Sequence, residues 1–456
     1  MPSYKNKTTK YHGRKTAFDI LNRVLHGGGY SNVVMKNKFN DKKLTIDDRH
    51  TATFLVYGVL RNLTLLDSIL RSKSKKGKLT LSPKMLTIGR MAIFEIVFSS
   101  GIPSYATVSE YMKLSEKHGD KKERNYLNAC LRKVSKKDRS SILKKQKDIQ
   151  KRMSLRYSFP EWTTDLLVNN YGFEKTSDIL RSFNNPQPAY FRVNTSMLSS
   201  DELFERFVQH HLPYERCDHP SNCIYQPHGK GNFPDAEYKS GWLTPQDRST
   251  QYVPFYVEAQ KGERILDLCC GSGIKTTQLI EISDDSIDIT AIDMFKHKLE
   301  SLLLECERLN LKEIKLVEND IFKWKCDDYF DKVLLDAPCS GTGTIRKRPE
   351  IKYRLKPEDI SSLIQIQDKL LDFAAERVVK DGFIVYSTCS ILQVENSKRI
   401  ELFLKRHSNF IDITKEVEKR LDINYVDMYV ETTGRIFLPV DINACGAYVC
   451  VLKKTR

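Results

Sequence analysis

Three things are missing from this sequence of 456 residues, and each absence removes a class of protein. No apolar run approaches the roughly 20 residues that a bilayer-crossing helix needs, so no membrane partner is expected. No Cys-x-x-Cys occurs among the eleven cysteines, so the usual zinc spacing is absent and no metal is expected. The odd cysteine number and irregular spacing also exclude a disulfide framework; reduced thiols in a cytoplasmic compartment fit instead. No acidic residue precedes Asp19, and no apolar core follows the basic opening MPSYKNKTTKYHGRKT, which excludes a secretory signal. The opening reads as a short basic arm before the first helix; an organellar transit peptide shares its composition.

Positive charge is what the chain has in excess. Lysine and arginine total 74 against 58 aspartates and glutamates, a formal net charge of +16. With 40% hydrophobic residues the chain can bury substantial cores, and its length suits about two to four domains. The charge points to a polyanionic partner, above all nucleic acid, unless it reflects only a lysine-rich background.

Residues 1–135 read as an all-helical bundle. Ala17, Ile20, Leu21, Val24 and Leu25 recur at helical spacing, as do Leu55, Val59 and Leu60, and then Leu86, Ile88, Met91, Ile93 and Ile96. Gly27-Gly28-Gly29 ends the first helix. Basic clusters at Lys73, Lys75, Lys76 and Lys78, and at Lys121, Lys122, Arg124, Arg132 and Lys133, suit either a solvated face or RNA-backbone contact. Residues 136–185 form a charged linker, or exposed helix, and a helical connector. Residues 186–247 make a small α+β module, with a strand at AYFRVNT and a helix over Leu203 to Gln209. In that strand Phe191 suits core packing, and Arg192 suits RNA. From 248 to 456, after a helix over Tyr252 to Ala259, strands and helices alternate as in a parallel, doubly wound α/β sheet. Two strand-like runs between Phe437 and Leu452 would add an antiparallel edge.

The first strand of that sheet ends in Asp267, and the turn Cys269-Cys270-Gly271-Ser272-Gly273 follows it. A Walker loop would need glycine where Cys269 and Ile274 stand, and a dinucleotide loop would need one at Thr276. A nucleoside cofactor without pyrophosphate remains, and S-adenosylmethionine is the common one. Asp293 closes the second strand and Asp320 the third, where acids hold ribose and base.

The strand DKVLLDAPCS delivers Asp336 and Cys339; the strand GFIVYSTCS delivers Cys389. Cysteines at two carboxyl ends of one parallel sheet converge on the crevice where α/β sheets bind ligands. A lone cysteine is usually an inert buried thiol; a pair at this edge suits nucleophilic work. Carbon 5 of cytosine or uracil is a poor nucleophile. It becomes a good one when a thiolate adds to carbon 6. The target base must be single-stranded or flipped to reach such a thiol.

The stretches DLCCGSGIKT, DAPCSGTGTIRKRPEIKYR and YSTCSILQVEN closely resemble the Nop/Sun family of RNA cytosine-5 methyltransferases. With the helical region in front, the chain resembles bacterial members in which a NusB-like domain precedes a Rossmann-like methyltransferase domain. The resemblance implies a multidomain enzyme using S-adenosylmethionine, acting as a monomer on RNA, most plainly small-subunit ribosomal RNA. It implies that Cys389 is the nucleophile, that Cys339 assists release and that Asp336 hydrogen-bonds the cytosine. Lys275 would lie near both cofactor and base. Asp267, Cys269, Cys270, Gly271, Ser272, Gly273, Asp293, Asp320 and Asp336 would line the cofactor. Arg346 and Arg348, with Arg192, would contact RNA. The family's first motif usually reads Cys-Ala-Ala-Pro-Gly-Gly-Lys, from which Cys270, Gly271, Ser272 and Ile274 depart. Gly446-Ala447-Tyr448 departs from the usual Asp-Gly-Phe-type turn. A tRNA substrate, or a non-catalytic RNA-binding assembly factor on the same fold, are the competing readings.

Overall fold

The computed structural model describes residues 9–229, 231–312, 314–422, 429 and 431–456. The basic arm expected before the first helix falls mostly on residues 1–8, outside the described residues. The chain forms two compact units: residues 1–184 with 347–354, and residues 185–346 with 355–456.

The first unit is helical. The helix Thr9–His26 packs on the long helix Ile46–Lys73, which packs on Pro83–Phe98. Thr45 and Asp48 cap the long helix reciprocally, side chain to backbone, which satisfies amides left open at its first turn. This 28-residue helix is long and apolar enough to cross a bilayer by length and composition, although charged and polar residues interrupt it. Its Leu55, Val59, Leu66 and Ile69 are instead buried in the bundle core. The charged stretch after Ser135 is not a free linker. It folds as Asp138–Lys145 and Ile149–Tyr157, buries Leu143 and Met153, and is pinned by a Lys73–Asp138 ion pair of 2.6 Å. Glu161–Tyr171 and Phe173–Asn184 follow.

Residues 347–354 complete this unit from far along the chain. The Ser31 backbone N–H and hydroxyl both donate to Glu350, at 2.8 Å. Buried Lys352 donates to the carbonyls of Arg61 and Tyr157 and to Asn184 Oδ1, at 2.9, 3.2 and 3.1 Å. Arg354 donates to the carbonyls of Val24, Gly28 and Gly29, where the helix Thr9–His26 ends and its carbonyls lack helical partners.

The second unit contains two sheets. β1 (Ala189–Val193), β2 (Glu215–Arg216), β3 (Cys223–Gln226) and β4 (Leu243–Pro245) pair antiparallel in the order β2-β3-β1-β4. The helix Ser200–Gln209 covers them through Leu203 and Phe207, giving a small ferredoxin-like module. The larger sheet holds β5 (Arg264–Leu268), β6 (Asp288–Asp293), β7 (Lys315–Glu318), β8 (Phe330–Asp336), β9 (Val378–Thr388), β10 (Phe410–Asp412), β11 (Arg435–Phe437) and β12 (Ala447–Lys454). Its order is β10-β12-β9-β8-β5-β6-β7, with β11 beside β12. β5 to β9 are parallel; β12 runs antiparallel to β9, the edge expected from the tail. This is a Rossmann-like sheet. The helix expected over 252–259 is instead a short helix, Arg248–Tyr252, and a 3-10 turn, Val253–Val257, ended by left-handed Glu258 (φ 48°).

Candidate active site

β8 and β9 are neighbours because both are apolar on two faces. Val333, Leu334 and Leu335, and Ile384, Val385 and Tyr386, are fully buried, as strands in the middle of a covered parallel sheet must be. Their register pairs Asp336 with Ser387, so both chains leave the sheet at one level. The Ala337 N–H donates to the Ser387 carbonyl at 2.9 Å. Cys339 and Cys389 then meet, Sγ to Sγ, at 3.2 Å, both half-buried free thiols. The Cys339 thiol is pushed well up, by its hydrogen bond to Cys389, by burial, and by the negative charge of Cys389 and Glu395. Cys339 is therefore held in its protonated form, and either sulfur can donate across the contact.

Asp336 stands beside the pair. Its Oδ1 accepts the Ser387 hydroxyl at 2.9 Å, and its Oδ2 is ion-paired with Lys275 from the helix Ile274–Ile282. Burial works against the Lys275 charge, but Asp336, and then Cys389 and Asp267, outweigh it and leave its pKa raised. A fixed cation therefore faces the Cys389 sulfur, the environment that favours a thiolate.

Glu395 holds the two cysteine loops together. It is fully buried. Its Oε1 accepts the Ser340 N–H at 2.8 Å and Gln367 Nε2 at 3.1 Å. Its Oε2 accepts the hydroxyls of Ser340 and Ser390, each at 2.5 Å. The motifs assign Glu395 no role, although it is the one acidic residue between Asp381 and Glu401.

Backbone closeness locks the loops further. The Gly343 N–H donates to the Cys389 carbonyl, and the Gly446 N–H donates to the Gly343 carbonyl, both at 2.9 Å. A Cβ on Gly343 would sit 2.1 Å from the Gly446 oxygen, and one on Gly446 2.3 Å from Ile391 Cγ2. The tail, to which the sequence pattern assigns no role, thus braces the loop after β8.

The cofactor loop lies between β5 and the helix Ile274–Ile282. Asp293 holds it from β6: its Oδ2 accepts the Gly271 N–H and pairs with Lys298, both at 3.1 Å, and its Oδ1 accepts the Phe295 N–H at 3.0 Å. Gly273 is left-handed (φ 77°), and a Cβ there would strike Leu302 at 2.1 Å. Ile274 opens the helix with 40% of its surface exposed. Ser272 is exposed, and Cys269 and Cys270 are half-buried, their thiols pushed up first by burial and then by neighbouring carboxylates. Asp267 is buried; Thr276 donates to its Oδ2 at 2.6 Å, while its Oδ1 has no partner among the described residues. Burial, with the charges of Asp336 and Asp293, pushes its carboxyl up to about 7, against the hydrogen bond from Thr276. Asp320 is half-exposed just beyond β7 and accepts the Phe322 N–H at 3.1 Å. An unpartnered buried oxygen, an open turn at Gly271 and acids at or just past the carboxyl ends of three adjacent strands fit a nucleoside cofactor. No cluster of His, Cys, Asp or Glu able to hold a metal occurs among the described residues.

Two of the three expected RNA contacts are corrected. Arg192 is fully buried: it pairs with Glu281 through two 2.7 Å bonds and donates to Gln246 and the Ile274 carbonyl. The strand reading of β1 holds, but its second face meets the large sheet's helix and not solvent. Arg346 is also buried, donating to the carbonyls of Asn185 and Pro186 and to Asn443 Oδ1. Neither guanidinium is placed to meet a phosphate. Arg348 is exposed and stacks over Tyr30 at 5.4 Å in the first unit. Phe191 packs in the small module's core.

Comparison with known proteins gives a consistent picture. Residues 254–453 match the model of the 16S rRNA methyltransferase RsmB/F family, residues 12–136 the NusB family, and residues 159–226 the RsmF/B-like ferredoxin-like domain. The chain is 31% identical over 409 residues to ribosomal RNA small subunit methyltransferase B of Photorhabdus laumondii, covering 88% of this chain and 91% of that protein. It is 28% identical over 445 residues to the probable ribosomal RNA small subunit methyltransferase B of Bacillus subtilis, covering 97% and 98%. In fold it is similar to the crystal structure of PH0851, with TM-score 0.78 and 23% identity over 98% of this chain and 99% of that one. A methyltransferase homologue protein from Pyrococcus horikoshii follows, with TM-score 0.59 and 23% identity over 68% of this chain and all of the other.

Proposed function

The chain belongs to the RsmB family of ribosomal RNA small subunit methyltransferases and is an RNA methyltransferase; we propose that it methylates carbon 5 of a cytosine in small-subunit ribosomal RNA. The observation that supports this reading is the 3.2 Å approach of Cys339 and Cys389 beside Asp336 and Lys275. Cys389, facing the Lys275 cation, adds as thiolate to carbon 6, which moves electron density to carbon 5. Asp336 hydrogen-bonds the ring and keeps it in register with the sulfur. Asp267, Gly271, Asp293 and Asp320 would hold S-adenosylmethionine, which would supply the methyl group for carbon 5 with its sulfur keeping the bond's electron pair as a neutral thioether. The carbon 5 proton then departs to solvent, and the carbon–sulfur bond breaks with its electron pair returning to Cys389. The Cys339 thiol eases this last step by hydrogen-bonding the sulfur that leaves.

The test separates the two thiols. Cys389→Ala abolishes methyl transfer, and Cys339→Ala accumulates a protein–RNA adduct that survives denaturing gels. Normal methylation by both variants would refute these roles. Bisulfite sequencing of total RNA with and without the gene identifies the substrate. A lost mark confined to tRNA would overturn the ribosomal assignment.

A further inference from the structure

A cavity of about 410 Å³ opens in the first unit among the helices Asp138–Lys145, Ile149–Tyr157 and Phe173–Asn184. That volume lies within the range of ligand sites, roughly 300–1,000 Å³. Its apolar lining is buried Leu143 and Met153 together with exposed Ile149, and Phe173 is left 43% exposed at its edge. Lys144, Arg152 and Arg156 are its charged lining residues, and among the described residues no carboxylate lines it. Of the nearby carboxylates, Asp148 caps the helix Ile149–Tyr157, Asp178 pairs with Arg181 at 3.2 Å and Asp138 pairs with Lys73, while Glu174, exposed beside Phe173, is not among the lining residues. The Tyr157 hydroxyl, bonded to Ser177 at 3.1 Å, records the local field. Burial alone would raise its pKa, but Ser177, Arg181 and Arg156 together lower it.

An exposed aromatic edge over an apolar wall, rimmed by cations, matches an unstacked base and its flanking phosphates. We propose that this cavity holds an unpaired nucleotide of single-stranded RNA, its base against Phe173 and its phosphates on Arg152 and Arg156. The proposal rests on the reading of the chain as an RNA methyltransferase. It adds a second point of attachment, built from helices outside the methyltransferase sheet.

The experiment uses the full-length protein and a twelve-nucleotide oligouridine, followed by fluorescence anisotropy at several salt concentrations. Phe173→Ala should weaken binding by about tenfold. Arg152→Gln with Arg156→Gln should flatten the salt dependence by about 0.7 for each phosphate no longer held. Photocrosslinking of 4-thiouridine oligomers should label peptides from residues 140–177. In methylation of small-subunit rRNA, both variants should raise KM while leaving kcat unchanged. Phe173→Leu, which keeps the apolar volume, guards against a folding artefact and should still weaken binding. Equal oligouridine binding by all variants would overturn the proposal while leaving the Cys389 chemistry standing. Weakened oligouridine binding by the cavity variants, beside a wild-type protein that methylates no RNA, would uphold the cavity and sink the enzyme assignment. Displacement of oligouridine by polyglutamate of equal charge, with no crosslink in 140–177, would assign the cavity to an acidic protein and overturn the proposal.

Discussion

The hydroxyls of Ser340 and Ser390 lie 3.2 Å apart and donate to the same oxygen of Glu395. Each serine directly follows a candidate thiol, so one buried carboxylate fixes the spacing of both sulfurs. Glu395→Gln keeps the shape but turns an acceptor into a donor facing other donors. Displacement of reacting groups by about 1 Å can cost 10²-fold, so kcat should fall by about that much with KM for RNA little changed. Ser340→Ala and Ser390→Ala each remove one bond to Glu395 together with hydroxyl contacts to Thr342, and each should cost about 1 kcal/mol of stability or more. Steady-state kinetics beside thermal melts distinguish the two outcomes; an unchanged kcat in Glu395→Gln would show that the carboxylate does not position the thiols.

Gly343→Ala forces a methyl group against the Gly446 carbonyl. Overpacking of this kind costs about 1–3 kcal/mol, and the Cys389 loop must shift with it. Melting temperature and methylation rate should fall together. Gly446→Ala should behave alike, through its clash with Ile391, and the double variant should lose less than the sum of the two, because both substitutions disrupt the same Gly343–Gly446 approach.

Arg192→Ala strands Glu281 in the interior. Breaking a buried pair from one side costs about 3–5 kcal/mol, whereas replacing both partners by apolar residues can be neutral. Denaturant melts should show a large loss in Arg192→Ala and recovery in Arg192→Met with Glu281→Met. RNA affinity of the recovered double variant should equal wild type; a matching loss of affinity would restore Arg192 to the RNA surface.

Asp267 predicts a pH dependence of stability. Its carboxyl stands at about 7 in the folded chain against a usual 3.8. Between those values the folded state holds a proton that the unfolded state has released. Stability from this group is therefore fullest below the lower value and is lost as pH rises to about 7. Without cofactor, Asp267→Asn should remove that slope, so its melting temperature should fall less than wild type between pH 5 and pH 8. Parallel curves would show that Asp267 ionises normally.

The alternation of β5 to β9 with helices was legible because a covered parallel sheet demands runs such as Val333 to Leu335. The convergence of Cys339 and Cys389 followed from the rule that ligands meet the carboxyl edge. What could not be read was which side of a short element faces protein. β1 alternates as a strand should, yet both of its faces are covered, so Arg192 resembled a surface cation and is a core one. Glu395 escaped notice because its partners, Ser340 and Gln367, lie 55 and 28 residues away in sequence. Gly446 stood out in the sequence only as a departure from the usual turn; its contact with Gly343 was not legible, because closeness between backbones leaves no periodic mark.

The clasp of residues 347–354 bears on how the protein is made. Ser31 and Glu350 are 319 residues apart in the chain, and Val24 and Arg354 are 330 apart. During translation the amino-terminal helices leave the ribosome long before the residues that fasten them. At about 5–20 residues per second the wait is on the order of ten seconds or more. Through that interval the helical unit must persist as a nascent, unfastened bundle, with the Ser31 N–H and the end of its first helix still open.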